Sequence, residues 1–147
     1  MTNTSAMSYE SALQAHKILM DTVAELEHLV KASREEQSGV VAERLKTLRT
    51  ELSAHFAAEE EGGYMAIVLK RAVHKYREVE MLLGQHHQLL QTLDGLTDGV
   101  QASGEPRQLD SLSREKILKW VAALRGHESH ENRLVLEVFT CDICAED

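Results

Sequence analysis

The sequence predicts an all-α fold: an up-down-up-down four-helix bundle built from a duplicated helical hairpin. Three observations carry that expectation. The chain is rich in Ala, Leu, Glu, Lys and Gln, with one proline, Pro106, three tyrosines, two phenylalanines and one tryptophan, a composition that favours helix over strand. Apolar residues recur at spacings of three and four in four separate stretches. The two halves of the chain also superimpose. An offset of 70 lays Leu13, His16, Leu19, Val23 and Leu26 over Leu83, His86, Leu89, Leu93 and Leu96; an offset of 72 lays Leu45, Leu52, His55 and Glu59 over Ile117, Leu124, His127 and Glu131.

The first helix is expected over about 9–32, with Leu13, His16, Leu19, Met20, Val23, Leu26 and Val30 on one stripe. Residues 33–39 are polar and read as a turn. The second helix is expected over about 40–71, its stripe being Leu45, Leu48, Leu52, His55 and Glu59. Gly62-Gly63 interrupts it, which predicts a kink or weakened turn just after the stripe ends. The third covers about 75–101, with Val79, Leu82, Leu83, His86, Leu89, Leu90, Leu93 and Leu96 facing one way. Residues 102–109 hold Gly104 and Pro106 and form the clearest loop, after which Asp110 or Ser111 can cap the fourth helix. That helix carries Ile117, Val121, Leu124, His127, Glu131, Leu134 and Val138. Short connections between helices of similar length point to antiparallel neighbours.

The 147 residues, 43% of them hydrophobic, suit one domain spanning 1–147, with a core over about 9–140 and short flexible ends. A net charge of −8 argues against a nucleic-acid surface, which needs clustered Lys and Arg. No apolar run approaches a membrane span, and the polar start Met1-Thr2-Asn3-Thr4 is not a signal peptide. Cys141 and Cys144 do not make a secreted disulfide framework, so a cytoplasmic protein is expected.

The chemistry lies in a repeated phrase. His55-Phe56-Ala57-Ala58-Glu59 and, 72 residues on, His127-Glu128-Ser129-His130-Glu131 each set a histidine and a glutamate four apart, one above the other on a helix face. Upstream of each lies one more histidine among leucines, His16 and His86. A single histidine in an apolar stripe is usually a satisfied core residue, but matched sets in both halves argue otherwise. Glu59 and Glu131 would be ionised on a core face, where a carboxylate is rarely tolerated without a cation. Four imidazoles and two carboxylates can hold two metal ions; imidazole suits Fe, Zn and Cu, and bridging carboxylates suit Fe and Mn.

The ordered set His16, His55-xxx-Glu59, His86, His127-xxx-Glu131 resembles the hemerythrin-like (HHE cation-binding) family. His55-Phe56, Glu59-Glu60 and the Leu89-Leu90 pair after His86 agree with it, and the likeness runs from about Leu13 to Phe139. The resemblance implies two non-haem irons with an oxo or hydroxo bridge, Glu59 and Glu131 bridging, and His16, His55, His86 and His127 as terminal ligands. Nothing in the composition excludes zinc or manganese. The chain departs from the oxygen-carrying hemerythrins, which bring a fifth histidine through a His-xxx-His pair and an aspartate on the fourth helix. Here Leu82 and Leu90 flank His86 at four residues on either side, and the fourth helix offers Glu131. With four histidines each iron keeps an open position, which resembles relatives linked to nitric-oxide handling and repair of iron centres.

Other residues read more plainly. His86 is favoured over its neighbour His87 as the inward one. His130, one turn from His127, is a fifth ligand, a partner behind a ligand or, more simply, a half-exposed histidine; His28 and His74 fall off the stripes. Tyr64 reads as packing, with a hydrogen bond or bond to metal as the alternative. Glu60, Glu61, Glu128 and Glu137 read as a solvated acidic face, and Cys141-Asp142-Ile143-Cys144 as a tail carrying two thiols, with a redox pair or half of a zinc site completed by a partner chain as the alternatives. The function expected is a di-iron protein that binds or reacts with O2, NO or peroxide. The alternative is an iron- or oxygen-sensing or iron-binding interaction module without turnover.

Overall fold

A computed structural model of the chain describes residues 9–32, 38–101 and 109–140. The expected flexible ends, residues 33–37 of the expected turn, most of the loop at 102–109 and the Cys141/Cys144 pair lie outside the described residues, while Ser38 and Gly39 of that turn already belong to the second helix. Among those described there are four long helices and one short one: α1 (Tyr9–Ala32), α2 (Ser38–Glu60), α3 (Tyr64–Arg71), α4 (Tyr76–Gln101) and α5 (Ser111–Thr140), with a 3-10 turn, Val73–Lys75, before α4. None of these helices is long and apolar enough to cross a membrane.

α1 packs on α2, α2 on α4, α4 on α5, and α5 returns to α1, which closes the antiparallel ring of a four-helix bundle. The stripes read from the sequence face inward. Val23, Val30, Leu45, Leu48, Leu52, Leu93, Ile117 and Leu124 are fully buried, each contributing about 1.5–3 kcal/mol of apolar burial. α5 begins where a cap was expected: the Asp110 Oδ1 accepts the Ser113 N–H at 2.7 Å, satisfying a donor of the first turn. Arg114 donates to the carbonyls of Val30 at 2.6 Å and Leu109 at 3.1 Å, tying the end of α1 to the start of α5.

The second predicted helix is two helices, not one bent one. α2 stops at Glu60, and the chain turns through Gly62, whose φ of +92° only glycine adopts readily. At Gly63 a Cβ would lie 2.3 Å from the Ala58 carbonyl oxygen and 2.8 Å from the Glu59 Cα. The double glycine thus lets α3 fold tightly back against the end of α2, and α3 then closes one end of the bundle against α4 and α5. This divides the core in two. A long cluster runs from Val30 and Leu48 to Phe56, and a shorter one joins Tyr64, Met65, Val68, Val79, Leu82, Leu134 and Val138. The histidines and glutamates lie in a polar layer between the two.

Candidate metal centre

Four helices supply the layer. α2 brings His55 and Glu59, α4 brings His86, and α5 brings His127, Glu128 and Glu131. α1 brings His16 to its edge. The His86 Nε2 lies 2.7 Å from Glu131 Oε2 and 3.3 Å from Glu59 Oε1; the His127 Nε2 lies 2.9 Å from the same Glu131 oxygen. On the other side the His55 Nε2 is 2.9 Å from Glu59 Oε2 and 3.5 Å from Glu128 Oε1. Two groups of converging donors result, His86/His127/Glu131 and His55/Glu59/Glu128/Glu131, with Glu131 common to both.

Each inner histidine is steered from behind. The His86 Nδ1–H donates to Glu60 Oε2 at 2.6 Å, and the His127 Nδ1–H to Gln85 Oε1 at 2.7 Å, which leaves both Nε2 atoms facing the layer. Phe56 stacks on the His86 ring with centroids 3.7 Å apart and planes 7° from parallel, and its edge meets His127. These contacts fix ring planes and keep water from one face.

Burial opposes charge on His55, but the Glu128 and Glu59 carboxylates outweigh it and push the imidazole up to about 10. Burial likewise opposes charge on His86, where Glu131, Glu59 and Glu60 push it up to about 10. Burial, and then the negative Glu131, raise Glu59 above the usual carboxylate range; Glu131 is held below it because His127 and His86 outweigh its own burial. Without a cation the layer is therefore held by imidazolium–carboxylate pairs. They are incompletely matched: His55 Nε2, Glu59 Oε1, His127 Nε2, Glu128 Oε2, Glu131 Oε1 and the Tyr64 Oη are buried without a well-aligned hydrogen bond. Buried polar atoms left so are costly, and nitrogen and carboxylate oxygens converging in this way are what a divalent cation takes. The residues fit a metal.

The sequence-predicted residues do not all share one position. His55, Glu59, His86, His127 and Glu131 come together; His16, 26% exposed, turns its Nδ1 to Glu128 Oε1 at 3.0 Å and stands outside both groups. His86 is buried and His87 exposed. His130 is half-buried and bonds Glu78 at 2.6 Å, away from the layer, while His28 and His74 are exposed.

Three residues were read too blandly; Glu60, assigned to a solvated acidic face, accepts the His86 Nδ1–H at 2.6 Å. Glu128 does not belong to a solvated face: its side chain is 1% exposed and sits inside the layer. The signal was present, since Glu128 is four after Leu124 and three before Glu131 on the inward stripe, and at the 72-residue offset it matches the buried Phe56. Tyr64 does pack in the shorter apolar cluster, but its Oη also reaches the layer. Burial first, then the carboxylates of Glu131 and Glu59, raise its pKa so that the phenol keeps its proton. Its position depended on a turn that helical periodicity does not describe.

The bundle and its layer define a cation-binding helical protein, and comparison with protein families agrees. The model of the hemerythrin HHE cation-binding domain matches residues 8–139, and the chain belongs to that family. Comparisons with curated proteins and with solved structures gave no match.

Proposed function

We propose that the chain, as one hemerythrin-like domain over 1–147, is a cytoplasmic non-haem di-iron protein that binds or reacts with a small ligand: O2, NO or peroxide. The observation that carries this reading is the set of buried donors that converge from both halves without aligned hydrogen bonds. His55, Glu59, His86, His127 and Glu131 would hold the pair, with His16 reaching in from the edge. A pair of irons bound there would supply the redox chemistry and the coordination positions for the ligand.

The chain's own residues supply the rest. Glu60 and Gln85 hold His86 and His127 in the tautomer that presents Nε2. Phe56 shields the layer on one side and the Tyr64 cluster on the other, which keeps the surroundings dry. Tyr64 keeps its proton at Oη and is placed to donate a hydrogen bond into the layer. A groove of about 660 Å³ between α4 and α5 is lined by Gln85, His127 and Trp120 and lies beside the layer.

A second reading, an iron- or oxygen-sensing module without turnover, draws on the layer's place between two apolar clusters. Loss of the cation would leave buried imidazolium–carboxylate pairs and unmatched polar atoms in mid-core, so metal would govern folding itself.

The test is anaerobic purification with metal analysis, followed by optical spectra on separate addition of O2, NO and peroxide. About two irons per chain with a ligand-dependent charge-transfer band supports the di-iron reading. Rapid oxidation without a stable O2 adduct favours reaction, and a reversible O2 band favours binding. A chain that loses helicity by circular dichroism when iron is chelated favours the sensor. A chain that takes up no iron sinks all of these.

A further inference from the structure

Resting on the di-metal reading above, we propose that Glu128 is itself a metal ligand, on the His16/His55 side of the layer, and that it makes the two metal positions unequal. Four observations converge. The Glu128 side chain is 1% exposed, so it carries a carboxylate to a place where one is rarely left without a cation. Its Oε1 lies between two imidazoles, 3.0 Å from His16 Nδ1 and 3.5 Å from His55 Nε2, while its Oε2 has no hydrogen-bond partner. It joins His55, Glu59 and Glu131 in one set of converging donors, and those same residues line a cavity of about 50 Å³. That is room for an ion or a water, not for an organic substrate.

The fourth observation is the internal repeat. Glu128 and Phe56 occupy the same position in the two halves, each directly after the histidine of the His-xxx-Glu pair. Phe56 stacks on His86, the upstream histidine of the second half; Glu128 contacts His16, the upstream histidine of the first. One position of the duplicated hairpin thus places an apolar ring on one side of the layer and a donor on the other.

The donor count changes accordingly. Two histidines to each ion, with carboxylate oxygens from Glu59 and Glu131, would give the two ions similar donor sets. Glu128 would add a donor to the His16/His55 side alone, so that the ion held by His86 and His127 would keep a place for an outside ligand.

Had Glu128 served only to accept the His16 N–H, its amide analogue would do as well, because Glu128→Gln keeps an acceptor oxygen while weakening the ligand. The experiment uses the full chain, loaded anaerobically with ferrous iron and titrated with azide as a small anionic probe, for wild type, Glu128→Gln and Glu128→Ala. Circular dichroism of each metal-free chain checks folding. Wild type is expected to bind two inequivalent ions and about one azide per chain. Both variants are expected to weaken the tighter iron step at least about tenfold, or to take a second azide. A wild type that binds two irons and two azides overturns the proposal while leaving the di-metal reading intact. So does a Glu128→Gln chain that matches wild type in both titrations. A wild type that binds fewer than two irons fails the di-metal reading, and the inequality falls with it.

Discussion

The two helical hairpins carry the same motif and bury it differently. His86 and His127, from the second half, are 1% and 2% exposed; their counterparts His16 and His55 are 26% and 12% exposed. The difference follows from what stands beside each ring. His86 is sealed by Phe56 on its face and Glu60 at its Nδ1, both supplied by the first half. His16 receives a carboxylate, Glu128, in place of an aromatic lid. Each half therefore finishes the other's histidine, and one divergent position is enough to make a duplicated site asymmetric.

The sharpest test removes one upstream histidine at a time. His86→Ala takes away a buried ring that faces two carboxylates, and iron affinity is expected to fall more than about 100-fold; His16→Ala, at the exposed edge, is expected to cost about tenfold less. Equal losses, measured by anaerobic iron titration, would erase the asymmetry.

Next in size is the turn present only in the first half. Gly63→Ala forces a Cβ to 2.3 Å from the Ala58 carbonyl, where backbone must move, and is expected to lower stability by about 2–4 kcal/mol in thermal or urea unfolding. It should also displace Tyr64. Gly84→Ala, with open space around its Cβ on α4, is the control and should be neutral or stabilising by up to about 1 kcal/mol.

Protons provide a third comparison. His55 and His86, one from each half, are both pushed up to about 10 in the metal-free chain. Their ion pairs stabilise the metal-free chain fully below the ordinary imidazole value of 6.5, and that contribution is lost as pH rises through 10. Metal must displace those protons, so iron uptake should release about two protons per chain and weaken as pH falls from about 8 to 6. Calorimetry in buffers of different ionisation enthalpy reads the protons directly; uptake independent of buffer and pH would break the link.

The smallest effect concerns the residues behind the ligands. Glu60→Gln replaces a carboxylate acceptor by an amide, making His86 resemble His127 with its Gln85. A loss of about three- to tenfold in iron affinity is expected, with Gln85→Glu shifting affinity the other way. Matching titrations for both variants and wild type would show that the two acceptors are interchangeable.

The helices and the inward stripes were legible because periodicity is a local property: Leu45, Leu48 and Leu52, or Ile117, Val121 and Leu124, announce their face without reference to a partner. The repeated His-xxx-Glu spacing was legible for the same reason, since four residues on a helix fix a common direction. Glu128 was misread because polarity was taken as exposure, although its place on the α5 stripe and its match to Phe56 were both in the sequence. The break between α2 and α3 was visible as Gly62-Gly63, but not that it would fold back tightly, because a turn's geometry depends on what the chain packs against.

The sequence by itself determined the long helices, their buried faces and the repeated His-xxx-Glu spacing, all of which follow from short-range geometry and composition. The tertiary structure decided which of those residues meet: Glu60 and Phe56 across to His86, Glu128 across to His16, and Tyr64 up into the layer. The first three of those contacts join residues 26 apart (Glu60 and His86), 30 apart (Phe56 and His86) and 112 apart (His16 and Glu128), and no local preference encodes them. They exist because four helices, once closed into a ring, bring opposite halves of the repeat face to face, and the energy of a buried charge depends on that complete surrounding.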